Sequence, residues 1–394
     1  MTLVFEQVRN APQMHALVIG VGDYRFCKDG SQYQRPKQGA APSVTHEYTQ
    51  LLSTPVSACT VAEWLLEHQR NDPVAPLGSL DVLVSAADPV VVAGTGVQRA
   101  SHGGLQARIG PWLERCNRHP QNVAFFFFTG HGYALDTDQL LLLDDVGTPG
   151  KPFFNGAFPL PDTRAAVLAA CHARTVCFFI DACRTGEAKD LLATPPRGQA
   201  LLDAPPGLPG PRDAPLILST ADGASAYGDP RGLTRFTVAL LDALSGLAAE
   251  QQGPEGYWDV TTHLLPVLHK LTKRRRTDAV AAGAAQVPQE AGTPQGGVIR
   301  RLAGPPAVPF TLGCRPREAL LEAHLGLVPD RRPDDRLSRS PKPERWQDRV
   351  PAGHYDYSAQ FAAGSYPDSE CRLFLLPPHV EYDLPCDAAP GEPV

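Results

Sequence analysis

At 394 residues, 43% of them hydrophobic and 20% charged, the chain has room for one large domain with a smaller companion, or for two ordinary ones. A formal net charge of −6 supplies neither the basic footprint of a nucleic-acid binder nor an acidic tail. The opening MTLVFEQVRNAPQ lacks a basic-then-apolar leader, and no run reaches the ~18 apolar residues of a membrane span, so a cytoplasmic protein without membrane contact is expected.

Short apolar runs recur along the chain at residues 15–21 (HALVIGV), 80–85 (LDVLVS), 123–129 (VAFFFFT), 175–181 (TVCFFID) and 214–220 (APLILST). Their hydrophobicity is continuous rather than alternating, which suits strands covered on both faces of a parallel sheet. Helical spacing falls between them at residues 56–68, 105–116 and 163–172. Two more helices are expected at 234–247, behind a capping Thr234, and at 259–271, behind a capping Asp259. A short strand near 297–302 is expected to close the domain. The order predicts an α/β protein, a three-layer α/β/α sandwich with a mostly parallel central sheet.

Two segments interrupt this pattern. Residues 187–213 form a Pro/Gly-rich connection inside the first domain, which is bounded at 1–304. Residues 305–350 read as a Pro/Arg-rich linker, and 351–394 alternate again as a small β-rich module, a candidate surface for a regulatory protein partner. Nine cysteines, odd in number and without a C-x-x-C spacing, indicate a reducing compartment and argue against zinc. Cys171 and Cys177, in apolar surroundings, read as small hydrophobes.

The chemistry gathers at two strand ends. VAFFFFT runs into Gly130, His131 and Gly132, and TVCFFID runs into Asp181, Ala182, Cys183 and Arg184. A histidine and a cysteine leaving the same edge of one sheet suit a thiol nucleophile with an imidazole general acid/base. The backbone N–H groups of Gly132 and Cys183 would form an oxyanion hole. Gly20-Val21-Gly22 follows a strand, but Arg25 stands where a dinucleotide fingerprint needs glycine. Asp136, Asp138, Asp144 and Asp145 surround the turn after His131. They offer oxygen ligands for calcium, but no specific motif requires them, and a solvated turn accounts for them. No cofactor or metal is required.

These residues resemble the caspase/metacaspase superfamily of cysteine peptidases. HALVIGVGDY is similar to its first strand, VAFFFFTGHGYALDTDQLLLLDD to its histidine strand and hairpin, and LILSTADGASAYG to the strand and loop that line its substrate cleft. QVPQEAGTPQGG is similar to the stretch before the final strand of bacterial relatives. The likeness runs from about Met14 to Leu302. It implies an endopeptidase with His131 and Cys183 as dyad, acting on protein or peptide substrates, in a bacterial defence or cell-death pathway. It implies a substrate loop at Ala224, Ser225, Ala226 and Tyr227 that pairs its backbone with an extended peptide. It also implies activation by cutting the connection after the nucleophile strand, where Lys189, Arg197 and Arg212 are candidate sites.

Specificity is read from departures. Asp181 stands where aspartate-cleaving caspases carry a glutamine, and Gly228 where they carry an arginine. Strand alternation puts Asp181 on the side of Cys183, so cleavage after arginine or lysine is expected. Ser57 occupies the position of a second acidic pocket residue. The competing roles are an Asp181 that only orders its loop, and a catalytically silent scaffold that acts by binding.

Overall fold

The computed structural model describes residues 2–7, 9–35, 44–135, 138–183, 196–203, 210, 212–220, 232–253, 256–277, 286–362 and 364–387. The chain divides into two compact units. Unit 1 comprises Met1–Leu241 and Thr261–Arg301; unit 2 comprises Asp242–Val260 and Leu302–Val394.

Unit 1 is built on seven strands: β1 (Leu3–Glu6), β2 (Met14–Val21), β3 (Leu77–Ser85), β4 (Val123–Gly130), β5 (Thr175–Ala182), β6 (Leu216–Leu218) and β7 (Gln289–Glu290). Their spatial order is β1-β3-β2-β4-β5-β6-β7. All pairings from β3 to β6 are parallel, and the two edge strands are antiparallel. The continuous apolar runs have the expected cause: every residue of β2, β3, β4 and β5 is buried.

Helices α1 (Ser53–Trp64), α2 (His102–Cys116), α3 (Leu160–Ala170), α4 (Arg235–Asp242) and α5 (Leu265–Thr277) accompany the sheet. Phe126 and Phe128 share a core with Leu105, Ile109 and Trp112 of α2 and Val167 of α3, which fixes those helices on one face. On the other face α1 lies so close to β2 that a Cβ on Gly20 would come within 2.5 Å of Ala58 Cβ. Gly20 is therefore a packing glycine, which accounts for the strand-end glycine that failed as a dinucleotide fingerprint.

Helix α4 begins as expected: Thr234 Oγ1 accepts the Thr237 N–H at 3.2 Å. Three expectations are corrected. Asp259 does not cap a helix; it lies in strand Tyr257–Thr261, hairpin-paired with Ala249–Gln252, and α5 starts six residues later. The run Tyr-Trp-Asp-Val-Thr is rich in β-formers, and that preference outweighs the cap signal. The strand Val298–Leu302 is not a member of the seven-stranded sheet. The edge of β6 is instead taken by β7, and the following Gly292 hugs it so closely that a Cβ there would sit 2.2 Å from Ala214 O.

The third correction concerns residues 305–350, which are folded rather than a linker. Unit 2 contains β8 (Ala307–Arg315), β9 (Ala323–Pro329), β10 (Leu337–Arg339), β11 (Trp346–Pro351), β12 (Gly353–Phe361), β13 (Ser369–Leu375) and β14 (Val380–Pro385). They form two sheets, ordered β11-β8-β14 and β10-β9-β12-β13. Phe310, Leu312 and Trp346 of one sheet share a core with Leu325, Leu327, Tyr357 and Leu375 of the other, as in a small β-sandwich. Among the described residues no helix is long and apolar enough to cross a membrane.

Candidate active site

Strands β4 and β5 pair in parallel, residue for residue, from Val123↔Thr175 to Gly130↔Ala182. His131 and Cys183 are the next residues on each strand. The register thus delivers the two side by side at the carboxyl edge of the sheet, where neighbouring strands are about 4.8 Å apart.

Each is held by its backbone. The His131 N–H donates to the Tyr24 hydroxyl at 2.6 Å, and its carbonyl accepts the Leu142 N–H at 3.0 Å. The carbonyl of Ala182, just before the cysteine, accepts the Ser219 and Thr220 hydroxyls at 3.3 and 3.4 Å. Cys183 itself is partly exposed and is not in a disulfide.

The imidazole is caged. Tyr24 lies against it with centroids 4.9 Å apart, and Tyr48 meets it edge-on at 5.2 Å. Its Nε2 is 2.8 Å from the Thr49 carbonyl oxygen. A carbonyl only accepts, so Nε2 carries the proton and Nδ1 is left with its lone pair. Burial pushes the His131 pKa down to about 4 against the support of that bond, so the resting ring is neutral. Burial raises Tyr24 well above the ordinary tyrosine value, partly offset by the bond from His131 N–H, with Cys27, Cys183 and Tyr48 raising it further.

The two residues after Thr49 are clamped. The Gln50 side chain accepts the Tyr24 N–H at 2.7 Å and donates to the Lys28 carbonyl at 2.7 Å, and Leu51 N–H donates to Gly22 O at 2.8 Å. Sequence reasoning missed Tyr24, Tyr48, Thr49 and Gln50. Thr49 acts through a carbonyl that every residue possesses, so no side-chain signal marks it.

Gly132 pairs with Leu141 in the hairpin after His131. The bond between His131 and Leu142 makes that neighbouring pair the hydrogen-bonded one, so Gly132 N–H is directed away from its hairpin partner. A Cβ on Gly132 would sit 2.4 Å from the Cys183 carbonyl oxygen, so only glycine lets the two backbones come this close.

Asp181 is buried beneath the cysteine. Its Oδ2 accepts the hydroxyls of Thr234 and, at 3.2 Å, Thr237, whereas Oδ1 is buried with no hydrogen-bond partner among the described residues. Burial raises its pKa to about 6, opposed by the hydroxyls of Thr234, Thr237 and Ser219. Ser57, wholly buried, accepts the Thr234 N–H at 3.0 Å. The structure therefore joins Ser57 and Asp181 through Thr234, with Ser57 as a prop.

Ala224, Ser225, Ala226, Tyr227 and Gly228 lie outside the described residues, as do Arg184, Lys189 and Asp136. Arg197 is exposed, but the chain beside it is docked: Gln199 N–H donates to Ala157 O at 2.8 Å and Leu201 is buried in the core. Arg212 is half-buried and donates to the Cys171 carbonyl, and the following Asp213 N–H bonds Arg174 O at 3.1 Å. The solvated turn expected around Asp144 is corrected as well. Asp144 is fully buried and ion-paired with Arg25 at 3.3 Å and Arg99 at 2.6 Å, and Asp145 accepts the His102 N–H at 3.0 Å. Two guanidinium groups supply the counter-charge there.

Residues 106–295 match the family model described as the caspase domain, a span containing both His131 and Cys183. An uncharacterized protein of Sinorhizobium fredii, y4kE, is 33% identical over 218 residues, covering 50% of this chain and 62% of that relative. The matched part thus spans less than two thirds of the relative's length. A crystal structure of caspase-1 from Spodoptera frugiperda aligns over 76% of this chain and 98% of its own, with 13% identity and a TM-score of 0.39. Residues 106–295 are thus similar to the caspase domain, the domain of the caspase-like superfamily of cysteine peptidases.

Proposed function

We propose that the chain is a cysteine endopeptidase in which Cys183 is the nucleophile and His131 the general acid/base. The carrying observation is the β4–β5 register, which brings the two residues side by side while the Thr49 carbonyl occupies Nε2 and leaves Nδ1 for the thiol. As a peptide carbonyl approaches, Nδ1 takes the Cys183 proton and the thiolate attacks carbon. The oxyanion is stabilised by the N–H groups of Gly132 and Cys183. The imidazolium then protonates the leaving amine, and water, deprotonated by Nδ1, releases the acyl group.

The neutral ring supports this order of events, since a base must be unprotonated before the thiol is engaged. Cleavage after arginine or lysine is the reading that the unpaired Asp181 Oδ1 supports, because a substrate cation would supply the missing partner. Family likeness supports a regulated role in defence or cell death, with activation by processing or by a partner. The sandwich of unit 2 is the surface on which to seek that partner. Its cavity of about 680 Å³ is lined by Trp258, Tyr355, Arg331 and Arg349.

The test is a diverse peptide library, incubated with the purified chain with and without calcium, with the cut bonds sequenced. An active-site thiol probe is run in parallel. Cuts after basic residues, lost in Cys183→Ala, support the proposal. A chain that neither cuts nor labels at Cys183 is a silent scaffold.

A further inference from the structure

His131 has two fixed points, and they come from different stretches of chain. The Tyr24 hydroxyl accepts its backbone N–H, and the Thr49 carbonyl accepts the proton on its ring Nε2. Tyr24 lies in the turn after β2, whereas Thr49 lies between the short helix Val44–Glu47 and α1. Thr49 is exposed and acts through its backbone, so its carbonyl is only as well placed as the chain around it.

Gln50 joins the two stretches. Its half-buried side chain reaches back to the turn after β2. Its Oε1 accepts the Tyr24 N–H at 2.7 Å, and its Nε2 donates to the Tyr24 carbonyl at 3.2 Å and to the Lys28 carbonyl at 2.7 Å. These partners settle which way the carboxamide faces, because one N–H and two carbonyls are met only with the oxygen towards the first and the NH2 towards the others.

Backbone ties flank this pair of residues. Lys28 N–H is shared between the Thr45 and Tyr48 carbonyls at 2.9 and 3.1 Å, and Leu51 N–H donates to the Gly22 carbonyl at 2.8 Å. The approach at Gly22 is so close that a Cβ there would sit 2.2 Å from Leu51 O. Only Thr49 and Gln50 stand between the ties. A span fixed at both ends still lets its middle peptide rotate as a rigid plane, by coupled turns of ψ at Thr49 and φ at Gln50. That rotation would carry the Thr49 carbonyl off the imidazole. Anchoring the Gln50 side chain restrains it.

We infer that Gln50 is a positioning residue for the dyad proposed above, on which this role rests: its carboxamide locks the Thr49–Gln50 peptide so that the Thr49 carbonyl keeps the His131 proton on Nε2. By holding the backbone of Tyr24 it also sets the second anchor of the same histidine. It acts on His131 only through Thr49 and Tyr24. A ring with its proton on the wrong nitrogen presents an N–H to the thiol in place of a lone pair, and cannot take up the Cys183 proton. Glutamine alone meets these demands at this length. Glutamate keeps the acceptor for Tyr24 N–H but turns an oxygen towards two carbonyls, methionine has the length and neither group, and asparagine is a methylene short.

The experiment compares the full-length chain with Gln50→Met and Gln50→Glu in three measurements. Steady-state cleavage of a peptide that the wild type cuts gives kcat and KM, and iodoacetamide alkylation across pH gives the reactivity of Cys183. Nitrogen NMR spectra of histidine-labelled protein give the tautomer of His131, assigned by the signals missing from His131→Ala. Both variants should stay folded, with kcat lowered about 10- to 100-fold and KM within about twofold of wild type. Their alkylation profile should shift, and the ring should pass from a single Nε2–H form to a mixture of tautomers. Folded variants that keep the wild-type kcat overturn the inference. So does a raised KM with kcat held, which would place Gln50 in substrate binding. If only Gln50→Met unfolds, Gln50→Glu decides; if both unfold, Gln50 is a residue of the fold alone and the inference fails. The tautomer needs no turnover. A wild-type chain that cuts nothing therefore sinks the dyad reading, while a ring held as Nε2–H and released in the variants still upholds the hold of Gln50 on His131; a tautomer unchanged in them refutes it.

Discussion

Replacing Tyr24 with phenylalanine removes one oxygen atom and tests how the dyad is held. That oxygen is the acceptor of the His131 N–H at 2.6 Å, and Tyr24 is wholly buried, so water has no route to replace it. An orphaned buried N–H costs about 1–3 kcal/mol. If the backbone of His131 shifts to relieve that cost, the imidazole moves with it, because its other fixed point is the Thr49 carbonyl. At about 1.4 kcal/mol per tenfold in rate, kcat should fall by roughly 5- to 100-fold while KM changes little. The melting temperature should fall by a few degrees. The assay is steady-state cleavage of an arginine peptide, with the pH dependence of Cys183 alkylation as a second readout. In the wild type the His131 ring should stay neutral down to about pH 4. The unfolded chain binds that proton already near 6.5, so this residue's contribution to stability is complete above 6.5 and is lost as pH falls towards 4. The variant should shift the alkylation profile because the ring has moved relative to the thiol. A lowered melting temperature with unchanged kcat and unchanged alkylation profile would mean that Tyr24 only packs, and the reasoning fails.

Three further outcomes follow from the same geometry. Cys183→Ala and His131→Ala should each abolish cleavage in folded protein, and the double variant should be little worse than either, as kinetics of the three proteins will show. Because the Asp181 carboxyl titrates near 6, KM for an arginine peptide should rise as pH falls through 6 while kcat holds; Asp181→Asn should lose both the arginine preference and this pH dependence, and arginine preference surviving in that variant counts against the pocket. Mass spectrometry of active protein should find processing after the exposed Arg197 rather than Arg212, whose following residue is bonded into the sheet, with the pieces held together by buried Leu201; cleavage at Arg212 in folded protein would contradict this.

The parts of the fold that were legible are those where burial imposes a pattern on side chains. Phe125 to Phe128 are all buried because β4 is covered on both faces, and so they read as one apolar run. His131 and Cys183 stood out because each ends such a run. The sandwich strand β8 was hidden by Pro309, which reads as loop. In the structure that proline lies just before the ladder to β14, which begins at Phe310↔Val380, so its missing N–H costs no bond on that side. The segment around Leu201 was hidden by surrounding prolines, yet Leu201 is buried and the Gln199 N–H is bonded to Ala157 O. Thr49 and Asn117 were beyond sequence reasoning for another reason. Their work is done by groups whose partners are distant in the chain, His131 for one and Ala170 with His172 for the other.

Truncation after Leu302 would remove the C-terminal strands, and the division of the chain into two units sets the expected result. Unit 2 includes 242–260 as well as 302–394, so such a cut removes only part of a compact body. Left behind are Leu244, Leu247 and Trp258, all buried in the intact chain. Trp258 lines the same cavity as Val350 and Ala352, and a Cβ on Gly246 would be 2.8 Å from Pro306 Cβ, so these partners lie in the deleted segment. Exposing large apolar side chains costs about 1.5–3 kcal/mol each, which makes a loss of several kcal/mol the expected scale. That is a large fraction of the 5–15 kcal/mol by which domains are usually stable. The chain ending at residue 302 should therefore bind a hydrophobic dye, melt well below the full chain and aggregate. A version that also carries Leu244→Ser, Leu247→Ser and Trp258→Ser should recover solubility, because the exposed surface, rather than a missing piece of unit 1, is the cause. Thermal melts and light scattering on the two proteins decide the matter. A truncated chain that stays monomeric with an unshifted melting temperature would show that 242–260 owes nothing to the residues after 302.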